Sequence, residues 1–111
     1  LITNVMSGER TFPPGMSVEI IKWSAYEKYY PKFSEPEDFE HVTWYLYRKA
    51  KDIKIYHYKN KIAPEAVKMK LALDTPEDFR KLEQIVGQMQ KDHTEYHLPE
   101  VYDIYKTIEH E

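Results

Sequence analysis

Leu71 to Phe79, LALDTPEDF, sets one carboxylate at the end of an apolar run and then at once opens a helix. Thr75 is a good N-cap, Pro76 suits the first helical position, and Asp78 stands where a capping-box acid reaches back to the cap amide. Asp74 is thus expected at the carboxyl end of a buried strand, just ahead of a helix N-terminus, where open α/β sheets place their ligands. A divalent cation or a phosphate-linked substrate is the chemistry that suits it. The plainer alternative is that Asp74 only complements the helix dipole, an effect worth about 0.3 to 1 kcal/mol.

His93 and His97 would ligate zinc if they shared a helix face, but Thr94 after His93 breaks the HExxH pattern and Pro99 points to a loop. Tyrosines cluster at 26–30, 45–47 and 56–58, a composition that stacks bases in single-strand binders. With 19 acids against 16 bases and a net charge of -3, the basic face such a binder needs is not expected. The tyrosines read as packed or subunit-facing, and neither nucleic acid nor a membrane surface is the expected partner.

The elements that must position these residues follow from punctuation and periodicity. Residues 1–17 hold a turn at Gly8, Glu9 and Arg10 and then the rigid loop Phe12-Pro13-Pro14-Gly15. Val18 to Trp23 predicts a short strand. Ser24 caps a brief helix carrying Tyr26, Tyr29 and Tyr30 and broken at Pro31. A second helix begins near Pro36, with Phe39, Val42, Tyr45 and Leu46 at helical spacing. Ile53 to Tyr58 predicts a strand, and Val67, Met69, Leu71 and Leu73 alternate as a half-buried strand does. From Pro76 to about Lys91 a helix carries Phe79, Leu82, Val86 and Met89 on one stripe, to lie against that sheet. Gly87 inside it costs roughly 1 kcal/mol relative to Ala, which calls for packing or a kink. A last helix from Leu98 turns Val101, Ile104, Tyr105 and Ile108 inward. SEPEDF at 34–39 and TPEDF at 75–79 are two uses of one helix-start recipe rather than a repeat.

A length of 111 residues allows one domain with a modest core, and the balanced charge with 10 tyrosines is that of a soluble globular protein. The sequence has no cysteine and hence no disulfide or thiolate chemistry; it shows no signal-peptide pattern and no apolar span for a bilayer. A cytoplasmic protein is expected. The opening Leu1-Ile2-Thr3-Asn4-Val5 begins in mid-phrase without Met, so the chain reads as a fragment of a longer polypeptide.

Three phrases in order carry a family resemblance. They are Thr3-Asn4-Val5 with Arg10-Thr11-Phe12-Pro13 and Gly15-Met16-Ser17-Val18-Glu19; then Glu40-His41-Val42-Thr43; then Leu73-Asp74-Thr75-Pro76-Glu77-Asp78-Phe79. Together they resemble the cytidylyltransferase-like family that includes spore coat polysaccharide biosynthesis protein F. That family is related to the synthetases that make CMP-activated 3-deoxy-sugar acids such as CMP-Kdo and to the acylneuraminate cytidylyltransferases. The resemblance spans nearly the whole chain but only the C-terminal half of such a protein. The nucleotide loop and the first metal-binding acid belong to the other half.

The resemblance implies a GT-A-like (Rossmann-like) α/β nucleotidyltransferase fold, a mixed sheet with flanking helices, in which CTP and a sugar or sugar acid meet with magnesium. By similarity Asp74 is the second metal-binding carboxylate. Arg10 lies where the family has a basic residue near the sugar or phosphate, and Glu19, His41 and Thr43 fall in phrases that line the sugar pocket. The family has Pro after His-Val-Thr where Trp44 stands here, which leaves the acceptor sugar open. The resemblance also implies a homodimer built by this region, and an isolated chain without activity of its own. Two rival functions remain at this stage: a non-catalytic dimerisation or interaction module, and a GT-A glycosyltransferase using an already activated sugar.

Overall fold

The computed structural model describes residues 1–5 and 9–109, and over them the chain is mixed α/β, with a small three-stranded mixed sheet and several helices. It divides into two units, Leu1–Thr3 with Glu19–Tyr58 and Asn4–Val18 with Lys59–Glu111. The turn expected at Gly8, Glu9 and Arg10 lies partly outside the described residues.

In the first unit β1 (Ile2–Thr3) is the central strand, antiparallel to β2 (Glu19–Ile20) and parallel to β3 (Tyr56–His57). Ile2 faces Ile20 and Tyr56, and Thr3 faces Glu19 and His57. The strands predicted at Val18 to Trp23 and Ile53 to Tyr58 are therefore cut to two residues each. A strand persists only while a neighbour takes up its backbone groups, and β1 offers two residues in register. Beyond β2 the chain turns directly into α1 (Trp23–Tyr29), whose first amides, Ala25 and Tyr26, donate to Lys22 O at 3.0 and 3.2 Å. Ser24 is inside that helix and does not cap it.

Pro31 ends α1 as expected, in a 3-10 turn over Tyr30–Lys32, and delivers Phe33 to the centre of an aromatic cluster. Its ring centroid lies 6.0 Å from Tyr26, 5.3 Å from Tyr30, 5.8 Å from Phe39 and 5.4 Å from Tyr45. These are the separations at which offset and edge-on pairs attract. The single helix expected from Pro36 is two, α2 (Pro36–Glu40) and α3 (Trp44–Arg48), because His41 leaves the helical region and Trp44 N donates back to His41 O at 2.7 Å. The break rotates the predicted stripe: Leu46 is fully buried, while Phe39 and Val42 are exposed.

The second unit is organised by a turn. Met16 N donates to Pro13 O at 3.2 Å, and Gly15, between them, has φ 102°. Pro at the second position and Gly at a positive-φ third position are what a type II turn demands. A Cβ on Gly15 would stand 2.4 Å from Leu71 C and 2.5 Å from Ala72 N, so the turn lies backbone on backbone against the segment leading to Asp74. Leu71 N donates to Pro14 O at 2.7 Å in the same contact. Asn4 holds the turn's exit, donating to Met16 O at 2.6 Å and accepting from Val18 N at 2.7 Å.

The strand predicted from Val67 to Leu73 does not form. Pro64–Lys68 is a 3-10 turn, and the extended segment after it has no regular pairing. Alternation alone does not make a strand when no neighbouring ladder takes up its amides. Met69 is nonetheless buried, in a core with Ala63 and Ala66 covered by Leu71, Leu98, Val101, Tyr102 and Tyr105. Asn60, itself buried, cross-links this core to the opening loop: it donates to Thr11 O and Ala63 O and accepts from Ala63 N.

The strand it was expected to cover being absent, α4 (Pro76–Gly87) packs on α5 (Leu98–Glu109). Its inner face carries Leu82 and Ile85, with Met89 half-buried just past its end, while Phe79 and Val86 stay exposed. The helix ends at Gly87 rather than near Lys91, so that glycine needs no packing role, and nothing lies within 4 Å of where its Cβ would be. α5 starts at Leu98 with the inward face read from the sequence.

The two glycines should respond oppositely to alanine. Gly15→Ala should cost more than about 1 kcal/mol, since the backbone is at positive φ and the methyl has no room. Gly87→Ala should be neutral or stabilise by up to about 1 kcal/mol. Urea denaturation of both variants checks this, and equal effects would mean that the Pro13–Met16 turn does not bear on Leu71–Ala72.

Candidate functional site

Asp74 ends the segment pinned by Gly15. The next residue, Thr75, is extended and accepts from Asp78 N at 3.1 Å, while Asp78 Oδ2 accepts from both Asp74 N and Thr75 N at 3.0 Å. The capping box read from the sequence is therefore present, and it takes in the amide of Asp74 as well. Lys70 donates to Asp78 Oδ2 at 2.7 Å and lies 3.1 Å from Asp74 Oδ2, bridging the two acids. The Lys70 bond, with the Asp74 and Thr75 amides, holds the Asp78 carboxyl down at about 2. Asp78, then Asp74, raises Lys70 in turn.

The Asp74 carboxylate itself is two-thirds exposed. A solvent-facing carboxylate oxygen is the donor that magnesium combines with waters and phosphate oxygens, so Asp74 suits a one-carboxylate share of such a site. Lys70 is the cation already beside it, and it is exposed enough to give way or to pair with a phosphate. Among the described residues no three His, Asp or Glu side chains converge as a metal set.

In the first unit a different cluster joins two of the sequence phrases. Glu19, on edge strand β2, accepts from Thr43 Oγ1 at 3.0 Å through Oε1 and from Tyr47 OH at 2.5 Å through Oε2. Thr43 and Tyr47 are one helical turn apart, so the entry of α3 aims both hydroxyls at one carboxylate. Burial, then the Glu19 carboxylate, pushes the Tyr47 phenol up to about 12, against an opposing hydrogen bond from Thr3. Thr3 itself is fully buried.

Of the sequence candidates, Glu19 and Thr43 are thus in contact. His41 is not joined to them: it is exposed at the end of α2 with its ring 6.1 Å from Trp44, whose other neighbour is the Arg48 guanidinium at 3.9 Å. Arg10 is exposed on the loop before the Pro13–Met16 turn. His93 begins a 3-10 turn, His93–Glu95, and His97 precedes α5, so the pair shares no helix. Tyr47 and Lys70 were not singled out by the sequence. Tyr47 had a legible signal, its four-residue spacing from Thr43. Lys70 had none, since its partners depend on how the extended chain meets α4.

Among the described residues no helix is long and apolar enough to cross a membrane. Comparison with known protein families, curated proteins and solved structures finds no match.

Asp78 makes the site's acid sensitivity measurable. A carboxyl held lower in the folded than in the unfolded state stabilises above its unfolded pKa and loses that contribution as pH falls through the folded one. For Asp78 that window runs from 3.8 down to about 2. Asp78→Asn should flatten the fall in stability across it, in urea melts at stepped pH. An unchanged slope would mean that Asp78 does not carry the ion pair with Lys70.

Proposed function

We propose that this chain is the C-terminal part of a magnesium-dependent nucleotidyltransferase of the cytidylyltransferase type. It would work in the cytoplasm on CTP and a sugar or sugar acid, for a surface or spore-coat polysaccharide, on a GT-A-like frame. One observation carries the reading: a residue of the first resembling phrase is bonded to one of the second, and the first also lies against the two residues just before the third. Gly15 of the first lies on the backbone of Leu71–Ala72, which leads directly into the third, and Glu19 of the first accepts from Thr43 of the second.

In this reading an oxygen of the sugar forms the new bond to the α-phosphorus, the bond from that phosphorus to the bridging oxygen breaks, and pyrophosphate departs with the electron pair. The sugar hydroxyl's proton goes to solvent. Asp74 would hold part of a magnesium ion, which when bound would supply positive charge to the phosphates. Asp78 and Thr75 fix the backbone at Asp74, where Lys70 would offer a cation to phosphate oxygens; the resemblance implies that Arg10 would lie near the sugar or phosphate and that Glu19, Thr43 and His41 would line the sugar pocket.

Asp74→Asn in the full polypeptide should keep the melting temperature and lower magnesium-dependent pyrophosphate release on the order of 10² to 10³, the scale for losing one preorganised electrostatic group. Unchanged turnover with a small loss of stability, below about 1 kcal/mol, would mean that Asp74 only complements the helix dipole. Calorimetry of the isolated chain with CTP and magnesium should show no tight binding. Micromolar affinity with pyrophosphate release would remove the proposal that the nucleotide half lies elsewhere.

A second reading, the dimerisation module, is favoured by exposed rings: Tyr30 at 52% and Phe39 at 53% beside Phe33, and Trp23 at 69% against Tyr26. Exposed aromatic surface of this kind marks association. Light scattering should show a homodimer, and a monomer up to high concentration would set this reading aside.

A further inference from the structure

Resting on the magnesium-dependent reading, we propose that Lys70 is a built-in counter-cation, an ammonium that keeps Asp74 closed to a free divalent cation until a phosphate group draws it off.

The geometry is that of a shared cation. Lys70 Nζ lies 2.7 Å from Asp78 Oδ2 and 3.1 Å from Asp74 Oδ2. Asp78 Oδ2 also accepts the amides of Asp74 and Thr75 at 3.0 Å, so that oxygen is committed to the helix start. Asp78 is therefore the fixed anion that anchors the ammonium, and its side chain is only 13% exposed. Asp74, at 67%, is the carboxylate that a second cation can reach. Among the described residues no other Lys or Arg pairs with Asp74. Asp78, then Asp74, raises Lys70, so the ammonium keeps its proton at neutral pH and vacates Asp74 only by moving.

An ammonium and a divalent cation on one carboxylate are like charges a few ångströms apart. In a water-like medium a divalent cation about 4 Å from the ammonium loses roughly tenfold in affinity. A phosphate group removes the conflict twice over. It takes the ammonium as its own hydrogen-bonded partner, and its other oxygens are the ligands that magnesium combines with a single carboxylate. The flexible stem of a lysine lets the head change partners, and Lys70 is 44% exposed on the side chain. Metal and phosphate then bind as one coupled event, each raising the other's affinity by the same factor.

The test titrates free magnesium into the isotope-labelled chain at neutral pH and reads binding from the amide NMR signals of Asp74, Thr75 and Asp78. Lys70→Gln should bind magnesium roughly tenfold more tightly than the natural chain. Lys106→Gln, which removes an equal charge from the Asp103 pair on α5, should bind it as the natural chain does. Inorganic phosphate, added at matched free magnesium, should tighten magnesium binding to the natural chain severalfold and to Lys70→Gln far less. If Lys70→Gln does not fold, the phosphate titration of the natural chain still decides.

Magnesium bound as tightly by the natural chain as by folded Lys70→Gln, an equal gain in Lys106→Gln, no shift at Asp74 in any chain, or no gain from phosphate on the natural chain overturns the proposal. Tighter magnesium in Lys70→Gln beside a parent enzyme that releases no pyrophosphate would overturn the function and leave this device. Pyrophosphate release beside equal magnesium affinities of the two chains would do the reverse.

Discussion

The approach of Gly15 to Leu71 and Ala72 is the constraint on which the second unit's candidate site depends. Two backbones pass with no side chain between them, a distance only glycine permits, and the same turn needs a positive φ that a Cβ would strain. The hydrogen bond from Leu71 to Pro14 O locks the contact at that spot. Everything downstream inherits its position: the extended run to Asp74, the cap at Thr75 and the direction of α4. A proline-rich loop that looked like a mere interruption is thus what holds the chemical segment in place.

One local device recurs at two helix starts in different surroundings. At α2, Asp38 Oδ2 accepts from Ser34 N and Glu35 N at 3.1 Å, with Lys49 at 3.6 Å; at α4, Asp78 Oδ2 accepts from Asp74 N and Thr75 N, with Lys70 at 2.7 Å. Asp38 is fully buried, so burial pushes it up, yet the amides of Ser34 and Glu35 and then Lys49 outweigh that and leave it lowered. Its Oδ1 is buried without a hydrogen-bond partner. Asp78 sits closer to solvent, and its lysine reaches on to the exposed Asp74. The same recipe serves packing in one unit and fixes the backbone of an exposed carboxylate in the other.

Charge at the two clusters is handled in contrasting ways. Around Asp74 a lysine neutralises acids that face solvent, an arrangement that can exchange one cation for another or admit phosphate. Around Glu19 neutral hydroxyls satisfy the carboxylate and leave its charge in place.

Local chemistry made the helix starts legible. Thr75-Pro76-Glu77-Asp78 and Ser34-Glu35-Pro36-Glu37-Asp38 place a capping acid within hydrogen-bond reach of its own cap amides. Pro31 as a breaker, and α5 with its inward face, are local in the same sense. The strands were not legible, because a strand exists only with a partner. Val67 to Leu73 alternates perfectly and still pairs with no ladder, while Ile2–Thr3, with no pattern at all, becomes the centre of the sheet. Tertiary packing decided the stripes as well: with the helix broken at His41–Thr43, Phe39 and Val42 are exposed, and with α4 packed on α5, Phe79 and Val86 are exposed too. For the candidate site, the sequence by itself determined that Asp74 precedes a capped helix. That Lys70 bridges it to Asp78, and that Tyr47 completes the Glu19 cluster, was decided only when segments distant in the chain were packed together, since a hydrogen bond between them has no local signature.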